Sequence, residues 1–328
     1  MTLQKNLARL VLSFVLLAAS VEAAQPKNGY ELGCGIGYRN DQMFFSMSRD
    51  GSLFYKEHDR NLRSIVFDGF LDLKLYGFLF SSYADVGWFV SGRTHDVCMM
   101  GVGGWPSYRS SFNQNVGGFL ADGKQYAGAI FDFTNRHGGF KIIPEIGYGV
   151  FYQDIDRKTN EPESRSIPDQ AILSCDLSRY HLQRQWWGPL VGGRLVYQLL
   201  HAWEFEGGYY YYYYLQLKQK FGFEQHLIYL APGPSMVSGF FAKSQNEADF
   251  RSLHGQSFCG KIKAQVADSW KMNWRWDIYR FASKKKTTNK MEIRQVYPIF
   301  ETTSDKRKNL LQTSWSAFSS MFEVEYFF

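Results

Sequence analysis

The residues in this chain best suited to chemistry are charged, and they alternate with apolar ones. Asp68, Asp72 and Lys74 are interleaved with Ile65, Phe67, Leu71, Leu73 and Leu75. Lys141 and Glu145 stand between Ile142, Ile146, Tyr148 and Val150, and Arg194 between Val191, Leu195 and Tyr197. Glu204 and Glu206 follow the same rule against Trp203, Phe205, Tyr209 and Tyr211. Lys261 and Lys263 alternate with Phe258, Ile262, Ala264 and Val266. Arg275 and Asp277 alternate with Met272, Trp274, Trp276 and Ile278, and Glu323 and Glu325 with Phe322, Val324, Tyr326 and Phe328. If these acids and bases share the inner face of a closed sheet, they must pair with one another, because an unpaired buried charge is costly. The chemistry this predicts is internal ion pairing in a narrow lumen, with little or no conductance from a monomer.

Other chemistry is not signalled. There is no P-loop, no Gly-x-Ser-x-Gly and no His-Glu-x-x-His, and the wide cysteine spacings match no metal motif, so no cofactor or metal is expected. Gly33-Cys34-Gly35-Ile36-Gly37 looks like a nucleotide fingerprint, but it lies in an alternating segment with no helix after it. Close packing between strands explains those glycines better. His95, Asp96 and His181 read as single, solvated loop residues.

The elements that would position the charged set are β-strands. Successive side chains of a strand face opposite sides of its sheet, so period two puts apolar residues on one face and charges on the other. About ten segments show this pattern, near 30–38, 65–75, 80–90, 127–133, 142–150, 187–198, 203–211, 258–266, 272–278 and 318–328. Their connections alternate. Short ones fall at Gly77, Asn135 to Gly139, Leu200-His201 and Asp268-Ser269, and long polar ones over 47–62, 92–123, 154–183, 217–254 and 282–312. Short turns at one end and long loops at the other are the pattern of outer-membrane barrels. A secreted β-sandwich has no reason to alternate in this way. The fold class expected is therefore all-β, a transmembrane antiparallel up-and-down barrel of about ten strands. The apolar residues Phe221, Phe223, Leu227, Ile228, Phe240 and Phe241 offer an extra hairpin, which would make twelve. Pro144 and Pro189 fall inside strands, where a missing N–H requires a bulge or a strand end. The run Tyr209 to Tyr214 would place its rings at the level of lipid headgroups.

The N-terminus reads as an export signal over residues 1–23, followed by a barrel domain over 24–328. Lys5 and Arg9 precede an apolar run from Leu10 to Ala19, and Val21-Glu22-Ala23 supplies a cleavage site near Ala23. That run is too short to span a bilayer as a helix. Aromatic residues make up 18% of the chain, the mixture a membrane-facing sheet uses. The expected location is the outer membrane, with its lipid as the first partner. The net charge of +6 lies mainly in runs such as Lys284-Lys285-Lys286 and Lys306-Arg307-Lys308, which could touch lipopolysaccharide, while export argues against nucleic acid. The closing strand, ending at Phe328, is the segment offered to the barrel-assembly machinery. Cys34, Cys98, Cys175 and Cys259 would meet an oxidising compartment, which leaves disulfides and homo-oligomer contacts open.

Two family resemblances follow. Gly87-Trp88, the segment Trp187 to Gly193 and the aromatic closing strand are similar to the omptin outer-membrane proteases, which have ten strands and five long outer loops. Omptins activate a water with an Asp/His pair on one rim and an Asp pair on the other. Glu224-Gln225-His226 resembles the first half, whereas the facing segment, 92–123, holds Asp96 and Asp122 but no Asp-x-Asp. The resemblance thus implies an inactive omptin-like site rather than an enzyme. The aromatic strands, the four scattered cysteines and the ending Glu323-Val324-Glu325-Tyr326-Phe327-Phe328 also resemble the Protochlamydia outer membrane protein family. That resemblance implies a porin-like or envelope-structural role with surface contacts.

Overall fold

Period-two patterning builds strands throughout this chain. The computed structural model describes residues 29–49, 52–98, 108–133, 138–158, 172–199, 202–230, 237–295 and 301–328. It describes side chains over 29–46, 58–92, 116–133, 139–156, 181–199, 202–220, 253–282 and 312–328. The strands are β1 (Gly29–Arg49), β2 (Ser52–Leu75), β3 (Phe78–Cys98), β4 (Tyr108–Ala129), β5 (Phe131–Asp132) and β6 (Gly138–Lys158). They continue with β7 (Ile172–Leu199), β8 (Trp203–Leu230), β9 (Val237–Ala267), β10 (Trp270–Gln295) and β11 (Glu301–Phe327).

Apart from β4 and β5, each strand pairs antiparallel with its neighbour in sequence, β1 pairs with β11, and β4 pairs with β6. The sheet therefore closes into a barrel. β5 is the two-residue continuation of β4, so ten strands make the wall. Closure leaves no free edge, which is what a spanning sheet needs in lipid. The four short turns, both described termini and the C-terminal Phe328 lie at one end.

The two prolines explain local breaks. Pairing of β4 with β6 runs to Gly128 opposite Glu145 and resumes as β5, with Phe131 opposite Ile142. The missing rung faces Pro144, which has no N–H to give, and Ile130 instead donates to the Gly77 carbonyl at 2.7 Å. Pro189 keeps its place opposite Tyr148, but the register between β7 and β8 slips between Trp187 and Leu190. Facing that bulge, Tyr214 adopts φ 53°. Gly118 is a third special position: its φ is +120°, and a β-carbon there would collide with the Asp154 carbonyl oxygen. Only glycine tolerates both conditions.

The described residues of the segments expected as long loops lie in strands. Residues 217–230 and 237–254 continue β8 and β9, with Leu217 opposite Phe250 and Leu230 opposite Val237. The extra hairpin is thus the upper half of an existing one, and the wall has ten strands, not twelve. Likewise β1 and β2 are paired to Arg49 and Ser52, and β10 and β11 to Gln295 and Glu301. The physical reason is that the apolar side changes from the outer to the inner face, as β8 shows. Within the apolar band of β8, Phe205, Tyr209 and Tyr211 point outward. Beyond it, Leu215 and Leu217 are fully buried inside, while Lys220 is exposed outside. A membrane needs about 9–11 residues per strand, and β9 has 31. Above the bilayer the outer face meets water, so an apolar-outside rule no longer detects the strand.

The expected signal segment lies outside the described residues. So do the side chains of Asp96, Cys98, Cys175, Glu224 and His226, and those of the two basic runs.

Candidate functional site

The barrel interior is filled by its own side chains, arranged in charged layers around an aromatic one. At the short-turn end, Lys263 lies 3.2 Å from Glu31, 3.3 Å from Glu204 and 3.4 Å from Glu325. Lys74 also binds Glu31, and Lys271 reaches Glu325 at 3.5 Å. Asn273 donates to Glu325 at 2.7 Å. Beside this group, Arg194 of β7 is a hub. Its Nε donates to Glu145 at 3.0 Å and its guanidinium to Glu206 and Tyr83 at 3.2 Å each and to Ser81 at 2.7 Å. Tyr210 donates to the same oxygen of Glu145, Oε2, at 2.6 Å.

The next layer centres on Arg275 of β10. It is ion-paired with Asp68 at 3.2 Å, Asp85 at 3.1 Å, Asp277 at 3.0 Å and Glu323 at 2.8 Å. Lys261 joins Glu323 at 2.9 Å and sits 4.0 Å from the Phe70 ring centre. Lys124 donates to Tyr279 at 2.5 Å. These groups come from strands all around the ring, so the network ties the wall across its own interior.

Above them, Phe151 contacts the rings of Tyr212, Tyr279, Phe281 and Trp315 at centroid distances of 5.2–5.8 Å. Trp186 stacks on Trp315 at 6.2 Å. Phe151, Trp186 and Tyr212 have 0% exposure, so water does not reach these rings. Arg39 caps the layer, lying 5.2 Å over Trp315 and pairing with Asp41 and Asp122. Asp41 also accepts from Trp315 Nε1 at 2.7 Å and Gln153 at 2.9 Å.

The structure brings the sequence-derived charges Asp68, Asp72, Glu145, Arg194, Glu204, Glu206, Lys261, Lys263, Arg275, Asp277, Glu323 and Glu325 into these layers, with Lys74 half-buried at their edge. Sequence reasoning missed Glu31, Arg39, Asp41, Asp85, Lys124 and Arg184. Asp85 alternates with Ala84 and Val86, a signal that was readable. Arg39 and Asp41 lie where the outward set turns polar, at Asn40 and Gln42, so alternation gave no signal.

Three expectations are corrected. The tyrosine run does not all reach the lipid: Tyr209, Tyr211 and Tyr214 are exposed, but Tyr210 and Tyr212 point inward at 3% and 0% exposure. Asp122 is no rim residue, since it is buried in β4 against Arg39. His181 is not an isolated loop residue. It lies on the outer face of β7 with Nδ1 2.6 Å from Asp156 and 3.5 Å from Asp154. Asp154 in turn accepts from Tyr152 and Gln183 at 3.1 Å each. This trio has metal-ligand chemistry, yet the His–Asp hydrogen bond already accounts for the geometry.

The two described thiols are unbonded and cannot meet. Cys34 is exposed on the outer face of β1, and Cys259 points inside from β9. Glu224 and His226 share β8, with Arg179 and Asp176 opposite them on β7, and Asp96 lies far round the ring on β3.

No protein-family profile matches the chain, and no curated protein matches it. Among solved structures, the outer membrane protease OmpT from Escherichia coli superimposes with a TM-score of 0.70 at 12% identity, over 94% of this chain and 99% of that one. The fold is that of an outer-membrane β-barrel. The translocator domain of the autotransporter NalP from Neisseria meningitidis aligns at TM-score 0.33 and 13% identity, over 98% of this chain and 97% of that one. The Pseudomonas putida toluene transporter TodX aligns at TM-score 0.30 and 9% identity, over 92% and 90%. At such identities the likeness concerns the fold alone. The barrel's apolar outer band is lined by Phe67, Trp88, Ile146, Trp274 and Phe322, as in a sheet that faces lipid.

Proposed function

We propose that this chain is a non-conducting outer-membrane barrel that carries paired strand extensions above the bilayer, with an envelope-structural and surface-contact role. The observation that carries the reading is the closed interior, where Phe151 and its ring neighbours fill the lumen between charged layers. A ten-stranded barrel lies near the narrow end of the range, where side chains alone fill the interior. The ion pairs leave few charges free to select a solute. The extended pairing of β8 with β9, out to Leu230 opposite Val237, gives the surface part a rigid base. Outer-membrane lipid surrounds the band, and lipopolysaccharide is the partner nearest the polar row above it, where Arg63 and Arg280 are exposed.

Planar-bilayer recordings test the reading directly. Purified, heat-modifiable protein is expected to insert without stable conductance steps. Large, long-lived open channels from the monomer would overturn it.

The reading includes no proteolysis. Cleavage of basic peptides by whole cells is expected to be the same for the wild-type protein and for His226→Ala. A loss of cleavage in the variant would instead assign an omptin-like reaction to the Glu224/His226 pair.

A further inference from the structure

We propose that the short-turn mouth of the barrel is a binding pocket for an aliphatic primary amine, with Asp72 receiving the ammonium group. This inference goes beyond the surface role and does not depend on it. In outer-membrane barrels the short-turn end faces the periplasm, so the amine would come from that side.

A cavity of about 310 Å³ opens there, beside the Tyr76-Gly77 turn. That is the lower end of the range for small-molecule sites. Its lining has two characters. Leu79, Ile130, Ile143 and Val196 form an apolar wall that packs as a small cluster of its own. Facing it, five carboxylates (Glu31, Asp72, Asp132, Glu204, Glu206) outnumber four cations (Lys74, Lys141, Arg194, Lys263).

The excess carboxylate can be named. Glu31 is held by Lys74 and Lys263, Glu204 by Lys263, and Glu206 by Arg194. Asp132 has Lys141 at 3.6 Å, and its side chain is 45% exposed, so water serves it. Asp72 is 3% exposed, and its Oδ1 has no hydrogen-bond donor. Among the described residues its nearest cation is Arg194, at 3.7 Å from Oδ2, beyond hydrogen-bond range. Arg194 cannot turn to it, because its Nε and both terminal nitrogens already donate to Glu145, Glu206, Tyr83 and Ser81. A buried acceptor without a donor is costly. Oδ1 is closed off from the cavity, so a group that brings N–H donors and a positive charge into it meets the carboxylate at Oδ2. The adjacent apolar wall suits an alkyl chain behind the charge. An alkylammonium supplies both, whether as a free amine or as a lysine side chain of a periplasmic peptide.

The test is isothermal titration of the full-length barrel in lipid nanodiscs, corrected against empty discs. n-Pentylamine is expected to bind saturably, and n-pentanol is not. Shortening the amine from pentyl to ethyl should weaken binding by about two- to fourfold per methylene. Asp72→Asn should weaken it by about tenfold or more, because a charge-assisted hydrogen bond is lost. The peptide Ala-Lys-Ala, compared with Ala-Gln-Ala, separates the sources: binding of pentylamine alone assigns a free amine, and binding of the lysine peptide as well assigns a lysine-bearing partner. Absence of pentylamine binding to the wild type, equal binding of pentanol, or a flat chain-length series overturns the proposal. The wild-type series decides even if Asp72→Asn fails to fold. Undiminished binding to a folded Asp72→Asn barrel also overturns it.

Discussion

Arg275→Met lowers the stability of the folded barrel by about 3–5 kcal/mol, the usual cost of removing one partner from a buried charge pair. Arg275 is the only cation within 4 Å of Asp68 or Asp277 among the described residues, and it also serves Asp85 and Glu323. Without it, four carboxylates face one another, with Lys261 and Lys124 left to balance them. Methionine fills much of the volume, so the loss reports charge and not a cavity. Arg275→Lys should recover only part of it, because an ammonium cannot reach four carboxylates in the fork geometry of a guanidinium. The useful contrast is Lys271→Met, at the barrel mouth. Lys271 has a side-chain exposure of 16% and shares Glu31 and Glu325 with Lys263. Its removal leaves both acids paired, and the cost should stay near about 1 kcal/mol. Urea titration of the protein folded into lipid vesicles measures all three variants. Equal effects of Arg275→Met and Lys271→Met would show that the inner network is hydrated and screened.

The second large effect is at Phe151. Its ring has 0% exposure and touches four aromatic rings from β8, β10 and β11. Phe151→Ala should cost about 3–5 kcal/mol, the transfer loss plus the cavity left among rings that the wall holds in place. Phe151→Leu should cost less, because it retains most of the volume. The same urea titration reads both. The substitution also probes closure. Trp186, Trp315 and Phe281 remain packed on one another at 4.9–6.2 Å, so the lumen should stay shut after a single truncation. An effect below that of a surface substitution would mean that the aromatic layer is loosely packed.

Much of the fold was legible in the sequence, and the reason is local. A side chain in the bilayer band is either toward lipid or away from it, so Phe258, Ile262, Ala264 and Val266 had to share one face and Lys261 and Lys263 the other. The same rule gave ten strands and the four short turns. It stopped where the bilayer stops. Above the band both faces of β8 and β9 tolerate polar residues, so Leu217 and Lys218 read as loop although they are paired with Phe250 and Asp249. The tyrosine run showed a related limit. Six identical residues carry no alternation, and only the strand decides that Tyr210 and Tyr212 turn inward.

By itself, then, the sequence determined that this protein is a closed membrane sheet with charges inside it, because period two and the cost of polar groups in lipid leave few other arrangements. Which charge meets which was decided by the tertiary structure alone. Arg194 and Glu145 are neighbours because β6 and β7 pair, but Arg275 reaches Asp68 and Asp85 only across the lumen. Such contacts depend on barrel radius and strand stagger, which are properties of the closed ring and of no single segment. The same closure left Asp72 without a donor beside an open cavity.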